Sequence, residues 1–202
     1  MTWAQDHIPA IMAAWYPGEE GGTAIARALF GDDNPGGHLP YTVYASLDGV
    51  PPQHDYDVSH GYTYQYFQGV PLWPFGHGLS YTRFTYSKLA LSISKANEKG
   101  SIDISFDLTN AGSRPGSDVP QLYTHQQKSM TYQPIKTLRA FERVMLAPGE
   151  TRRVHFVLPA AQLAYWQNSK KADAVEPGPF DVLIGSSSDD IRLKAMLTVT
   201  GK

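Results

Sequence analysis

The sequence predicts a mainly β protein: a two-sheet β-sandwich over residues 87–202, preceded by a small α/β unit (1–45) and a long aromatic-rich connector (46–86). Three observations carry that expectation. After about Phe84, apolar residues recur with period two, the pattern of strands with one face in a core. Turn residues interrupt the alternation at short intervals, and seven strands so spaced indicate a sandwich of immunoglobulin-like architecture. Composition agrees. The 202 residues include 18 Gly and 15 Pro, and charged residues make up 18%, against about 25% in an average globular chain.

Taken in order, residues 8–15 (IPAIMAAW) are a short apolar run that reads as a buried strand. Pro17-Gly18 then leads Glu19 and Glu20 into a helix from Thr23 to Phe30, with Ile25, Ala28 and Leu29 at the spacing of an inward face. Gly31 is suited to stop that helix, and residues 32–37 (DDNPGG) read as a turn. Residues 39–44 read as extended. Half of all aromatic residues lie between Tyr41 and Tyr86, too many for a disordered linker, so the connector is expected to be ordered. In the sandwich, Leu89, Leu91 and Ile93 form one inward row, and Ile102, Ile104, Phe106 and Leu108 form the next. Further strands are expected at 119–125, 135–144, 152–158, 180–185 and 191–200, with a short helical turn at 160–166.

Charge and composition narrow the function classes. A net charge of -2 leaves no basic footprint for nucleic acid or an anionic membrane, and no apolar run is long enough to span a bilayer. With no Cys, thiolate chemistry and Cys-ligated zinc are excluded. The seven His form no HxxxH or HExxH pair, and no cofactor or metal is implied. The start of the chain shows no signal-peptide pattern, which leaves its compartment open.

Few residues combine into chemistry. Adjacent Glu19 and Glu20 at a helix start point about 100° apart and read as partners of the helix dipole, not as a pair flanking one bond. Asp32-Asp33-Asn34 begins like a calcium loop, but the twelfth position is Val43, so the segment reads as a turn. His54, Asp55, Asp57 and His60 form the densest polar cluster and read as a solvated loop. Ser80 with His77, His60 and Asp57 offers the makings of a Ser/His/Asp hydrolase site, although no GxSxG elbow accompanies it. Tyr62, Tyr64, Tyr66 and Trp73 read first as packing that pins two units together, and second as platforms for a sugar face.

Several long motifs carry a resemblance. Trp15-Tyr16-Pro17-Gly18-Glu19-Glu20-Gly21-Gly22, then Ala28-Leu29-Phe30-Gly31-Asp32 and Asn34-Pro35-Gly36-Gly37-His38-Leu39-Pro40, resemble the end of the α/β sandwich domain of family 3 glycoside hydrolases. Pro71-Leu72-Trp73-Pro74-Phe75-Gly76-His77-Gly78-Leu79-Ser80-Tyr81-Thr82-Arg83-Phe84 resembles that family's junction. Thr109-Asn110-Ala111-Gly112, Gln121-Leu122-Tyr123, Leu138-Arg139-Ala140-Phe141-Glu142-Arg143-Val144 and residues 146–151 (LAPGET) resemble its fibronectin type III-like domain, with Ala140 where glycine is common. Residues 61–67 (GYTYQYF) lean toward the β-xylosidase-like branch.

The resemblance implies the C-terminal third of a retaining exo-β-glycosidase, a β-glucosidase or β-xylosidase, of a family often periplasmic or secreted. Its nucleophilic Asp lies on a (β/α)8 barrel and its acid/base residue earlier in the α/β sandwich domain, so neither transfers to a position here. Glycosidase activity from this stretch alone is therefore not expected. The partners it implies are the barrel and the rest of the α/β sandwich domain, with β-linked oligosaccharide as the ligand class; separately, a strand at 8–15 with one companion helix leaves a face and an edge open, so residues 1–45 are expected to pair with a second copy or fold back on the sandwich. A weak ester hydrolase at Ser80 and a carbohydrate-binding module are the alternatives.

Overall fold

The computed structural model describes residues 1–201. Helix α1 (Thr2–His7) is followed by irregular chain, then α2 (Gly21–Phe30) and β1 (Val43–Tyr44). A 3-10 turn at Val58–His60 and a single helical turn, α3 (Thr63–Tyr66), precede β2 (Pro71–Trp73), which pairs antiparallel with β1. Strands then dominate: β3 (Phe84–Leu91), β4 (Lys95–Asn97), β5 (Ser101–Asn110), β6 (Gly116–Asp118), β7 (Gln121–Gln126), β8 (Thr137–Phe141) and β9 (Val144–Leu146). The last five are β10 (Thr151–Pro159), β11 (Tyr165–Gln167), β12 (Ala172–Ala174), β13 (Gly178–Gly185) and β14 (Ile191–Thr200).

Two sheets make the sandwich, one in the order β10-β5-β3 and the other β4-β14-β13-β7-β8. The fold class is the expected one, and its core follows the period-two pattern. Ile102, Ile104, Phe106 and Leu108 of β5 are fully buried against Leu122, Val182, Ile184 and Leu197 of the facing sheet. Phe106 stacks with Tyr86 at 5.8 Å and tilts against Phe156 at 5.9 Å. Strand β7 is buried over most of its length. Leu122 belongs to the sandwich core, while alternate residues Gln121 and Tyr123 meet the connector on the other side.

Several elements differ from expectation, each for an identifiable reason. The apolar run 8–15 is not a buried strand: it has no regular structure, and Ile8, Ile11, Met12 and Trp15 are 43%, 46%, 40% and 59% exposed. A strand needs a paired edge, and no described sheet offers one to this segment. Helix α2 starts at Gly21 and ends at Gly31, whose φ of 82° is the left-handed stop that glycine favours, but Leu29 points to solvent. Its expected inward row is reduced to Ile25 and Ala28, because no element covers the Leu29 side.

In β3 the inward row changes parity. Phe84 and Tyr86 lead it, a bulge inserts a residue at Lys88 (φ 54°), and Leu89 and Leu91 continue it. The strand ends there, leaving Ile93 exposed. The expected strand 135–144 divides, since β8 joins the five-stranded sheet while β9 leaves to pair with β6. The expected turn at 160–166 is a 3-10 turn at Ala160–Leu163, after which the chain enters β11.

Candidate functional site

The polar side chains that hold the N-terminal unit to the sandwich converge on a seam between residues 31–40, residues 74–82 and the sandwich. Asn34, in a turn after α2, is its pivot. Its Oδ1 accepts from the Ser80 hydroxyl at 3.0 Å and the Tyr81 N–H at 2.7 Å, and its Nδ2 donates to the Pro115 carbonyl at 2.8 Å. Backbone bonds Leu39 N–H to His77 O (2.8 Å) and Gly76 N–H to Leu39 O (2.7 Å) zip the two loops into a short ladder. Gln121 Nε2 then donates to Gly76 O, Val119 O and Ser186 O, tying the ladder to β7 and to the turn before β14. Gly76 has φ +79°, and a Cβ there would stand 2.1 Å from Gln121 Oε1, so only glycine fits this crossing.

A histidine is buried in the seam. The His38 side chain is 11% exposed, with Nδ1 2.5 Å from Gly76 O and Nε2 3.4 Å from Asp118 Oδ1. Asp118 also accepts from the Tyr86 hydroxyl at 2.7 Å and the Val119 N–H at 2.9 Å. Burial pulls the His38 pKa down, but Asp118 and the Gly76 and Ser186 backbone more than offset this, leaving it above the ordinary histidine value. Burial, helped by His38, pushes the neighbouring His77 the other way.

The Ser80, His77, His60 and Asp57 set is not brought together. The Ser80 hydroxyl donates to Asn34 and accepts from the Thr82 N–H. His60 lies on an exposed loop, 2.7 Å from Asp55 Oδ2 and 3.5 Å from Asp57 Oδ2, and the Asp55 hydrogen bond raises its pKa. Asp57 in turn accepts from the Ser59 hydroxyl and N–H. This loop is an ion-paired 3-10 turn with no serine nucleophile bonded to its histidine. Among the described residues, no three His, Asp or Glu side chains converge as metal ligands would.

The connector aromatics are mostly spent on architecture. Tyr64 stacks on Phe75 at 4.3 Å, meets Tyr123 edge-on at 5.8 Å, and accepts from the Leu138 N–H at 3.1 Å. Tyr62 donates to the Pro52 carbonyl at 2.6 Å, and Trp73 Nε1 donates to Gln5 Oε1 at 2.8 Å. Tyr66 lies against exposed Tyr132 at 5.4 Å. Beside them is a cavity of about 460 Å³ lined by Thr42, Tyr64, Phe67, Gln68, Lys136 and Asp189. Lys136 in it is already bonded to the Ser188 carbonyl and paired with Asp189.

The quoted motifs include Asn34 and Gln121 but gave them no structural role, and Asp118 lies outside them. Each is a polar residue whose importance comes from partners 32 to 81 positions away. His38 stood in the same motif as Asn34, with nothing local to mark Asp118 as its partner.

Comparison with known proteins follows the same two-part organisation. The Glycosyl hydrolase family 3 C-terminal domain matches residues 1–81, and the Fibronectin type III-like domain matches residues 118–188. The periplasmic beta-glucosidase of Salmonella typhimurium is 38% identical over 194 residues, covering 91% of this chain and 25% of that protein. The xylan 1,4-beta-xylosidase of Xylanibacter ruminicola is 39% identical over 191 residues, 95% of this chain and 22% of that protein. Beta-glucosidase 3B from Thermotoga neapolitana, solved with glucose, superposes with a TM-score of 0.87 at 30% identity, over 98% of this chain and 29% of that one. The chain thus spans about a quarter of the length of the curated relatives it matches. With both family models in order along it and relatives of that family aligned over nearly its whole length, the chain belongs to glycosyl hydrolase family 3 and corresponds to a C-terminal portion of such an enzyme.

Proposed function

We propose that this chain is the structural and interaction portion of a retaining exo-β-glycosidase of β-glucosidase or β-xylosidase type. In this reading the nucleophile and the acid/base carboxylate come from a barrel and from the rest of the α/β sandwich domain. The observation that carries it is the apolar surface of the first 30 residues, where Ile11, Met12, Trp15, Leu29 and Phe30 are exposed although the sandwich core beside them is complete. Exposed apolar residues gathered in one unit mark a surface that another protein part covers. The names of the relatives, beta-glucosidase and beta-xylosidase, support this substrate class, and their greater length leaves room for the catalytic part.

The test is hydrolysis of nitrophenyl β-glucoside and β-xyloside by the purified chain, alone and co-produced with a barrel-bearing partner portion. No turnover alone and turnover in the complex is the expected result. Sustained turnover by the chain alone would overturn the reading. The ester-hydrolase alternative finds no support in the geometry of Ser80, whose hydroxyl is committed to Asn34.

A further inference from the structure

We propose that His38 is a protonation-dependent latch, closing the seam between the N-terminal unit and the sandwich as an imidazolium and loosening it as a neutral ring. The inference is independent of the glycosidase reading. It stands on donor arithmetic at a buried site. Both ring nitrogens face acceptors: Nδ1 meets the Gly76 carbonyl at 2.5 Å and Nε2 meets the Asp118 carboxylate at 3.4 Å. A neutral imidazole has one N–H, so it can donate to only one of them and must turn a lone pair toward the other. Imidazolium keeps the Nδ1 bond to the Gly76 carbonyl and adds charge attraction between Nε2–H and Asp118. With His38 and Asp118 side chains 11% and 8% exposed, water has little access to take over the second contact.

The groups packed around the pair come from several elements. The Tyr86 hydroxyl of β3 and the Val119 N–H both donate to the Asp118 carboxylate. From β14, Arg192 stands over the Tyr86 ring at 5.9 Å and is itself neutralised by Asp190 of the preceding turn. From residues 74–80, His77 is the remaining titratable neighbour; His38 helps to keep it uncharged. The same Gly76 carbonyl also accepts from Gln121, and Gly76 N–H bonds Leu39 O, so the contact His38 makes is shared with the loop ladder and with β7.

The sign follows from the raised pKa of His38. Its contribution is fully present below the unfolded histidine value, about 6.5, and is lost as pH rises through the folded value. The seam is therefore tighter in mild acid than in mild alkali, while the sandwich core, whose buried side chains among the described residues include no histidine, keeps its stability.

The test uses the full chain. Nitrogen-15 NMR of His38 reads protonation directly, and hydrogen exchange of the Leu39 and Gly76 amides, corrected for intrinsic rates, reads the seam. Expected are a His38 ring that stays protonated to higher pH than a free histidine and a seam protection that falls as pH rises through the midpoint of that titration. The fall is about tenfold for each unit by which the His38 pKa is raised, with β5 amides unaffected. D118N should abolish this pH dependence. A His38 ring that is neutral across the range, or a seam protection that tracks β5 at every pH, would overturn the proposal, and both readings come from the unsubstituted protein.

Discussion

Replacing Asn34 by alanine tests whether the seam is held by that one side chain. The substitution removes three hydrogen bonds, to the Ser80 hydroxyl, the Tyr81 N–H and the Pro115 carbonyl. At about 0.5–1.5 kcal/mol each, the sum spans roughly 1.5–4.5 kcal/mol. Tyr81 is half exposed, so water replaces part of what it loses, and the lower part of that range, about 2 kcal/mol, is the expectation. That corresponds to a loss of protection of roughly thirtyfold. The assay is hydrogen exchange at Tyr81, Leu39 and Gly76, read beside the β5 and β10 amides. The seam amides should lose protection while the sandwich amides keep theirs. If the seam amides in N34A matched the wild type, or if seam and sandwich fell together, Asn34 would not be a local pivot and the account of the seam would fail.

Three further outcomes follow. Phe106→Ala empties a fully buried ring site between Tyr86 and Phe156, and should cost about 3–5 kcal/mol, read as a lower urea midpoint with unchanged m. Asp107, held below the usual carboxylate range by hydrogen bonds from Lys88 and Arg153, contributes stability above its unfolded pKa of about 3.9 and loses it as pH falls through its folded value; D107N should flatten that acid limb in a urea titration below pH 4. Leu29→Asp with Phe30→Asp should leave the thermal midpoint of the chain alone nearly unchanged, since these side chains are 65% and 85% exposed, yet should weaken co-purification with the barrel-bearing portion severalfold.

The parts of this molecule that were legible in its sequence share one property: their structure is decided locally. The inward row from Ile102 to Leu108 needs only alternation, and the Gly31 stop needs only a residue tolerant of positive φ. What was not legible depends on distant partners. The run 8–15 has the composition of a buried strand, but composition does not supply an edge to pair with. The parity change in β3 turns on one inserted residue at Lys88, which Asp107 and Arg153 then hold through its ammonium and carbonyl groups. The aromatic row Tyr62, Tyr64, Tyr66 alternates like a strand in the text, yet Tyr64 and Tyr66 sit in a single helical turn because the neighbouring Thr63 adopts φ 60° and donates its N–H to Tyr44. The roles within the candidate site were least legible, since its motifs at 34–40, 71–84 and 121–123 meet one another only in the fold.

The seam also bears on why a fibronectin-like sandwich travels with this unit at all. A sandwich strand ordinarily turns one face to the core and one to water, and β5 does so. Strand β7 does not: Gln121 and Tyr123, on the side away from Leu122, are buried beneath Gly76, Phe75 and Tyr64. Removing residues 1–81 would expose the Tyr123 ring and strip the Gln121 amide of one acceptor, so the sandwich would lose both apolar cover and polar satisfaction. Conversely, residues 31–40 and 74–80 have little core of their own and take their shape from Asn34, His38 and Gln121. Each side thus completes the other. A rigid joint of this kind would let the sandwich fix the position of an apolar surface that ends at Phe30, and a flexible linker of the same length could not. Insertion of a Gly-Ser pair after Leu79 should therefore release the seam amides and lower activity of the assembled enzyme, with β5 protection unchanged; full activity in that variant would show that the joint does not need to be rigid.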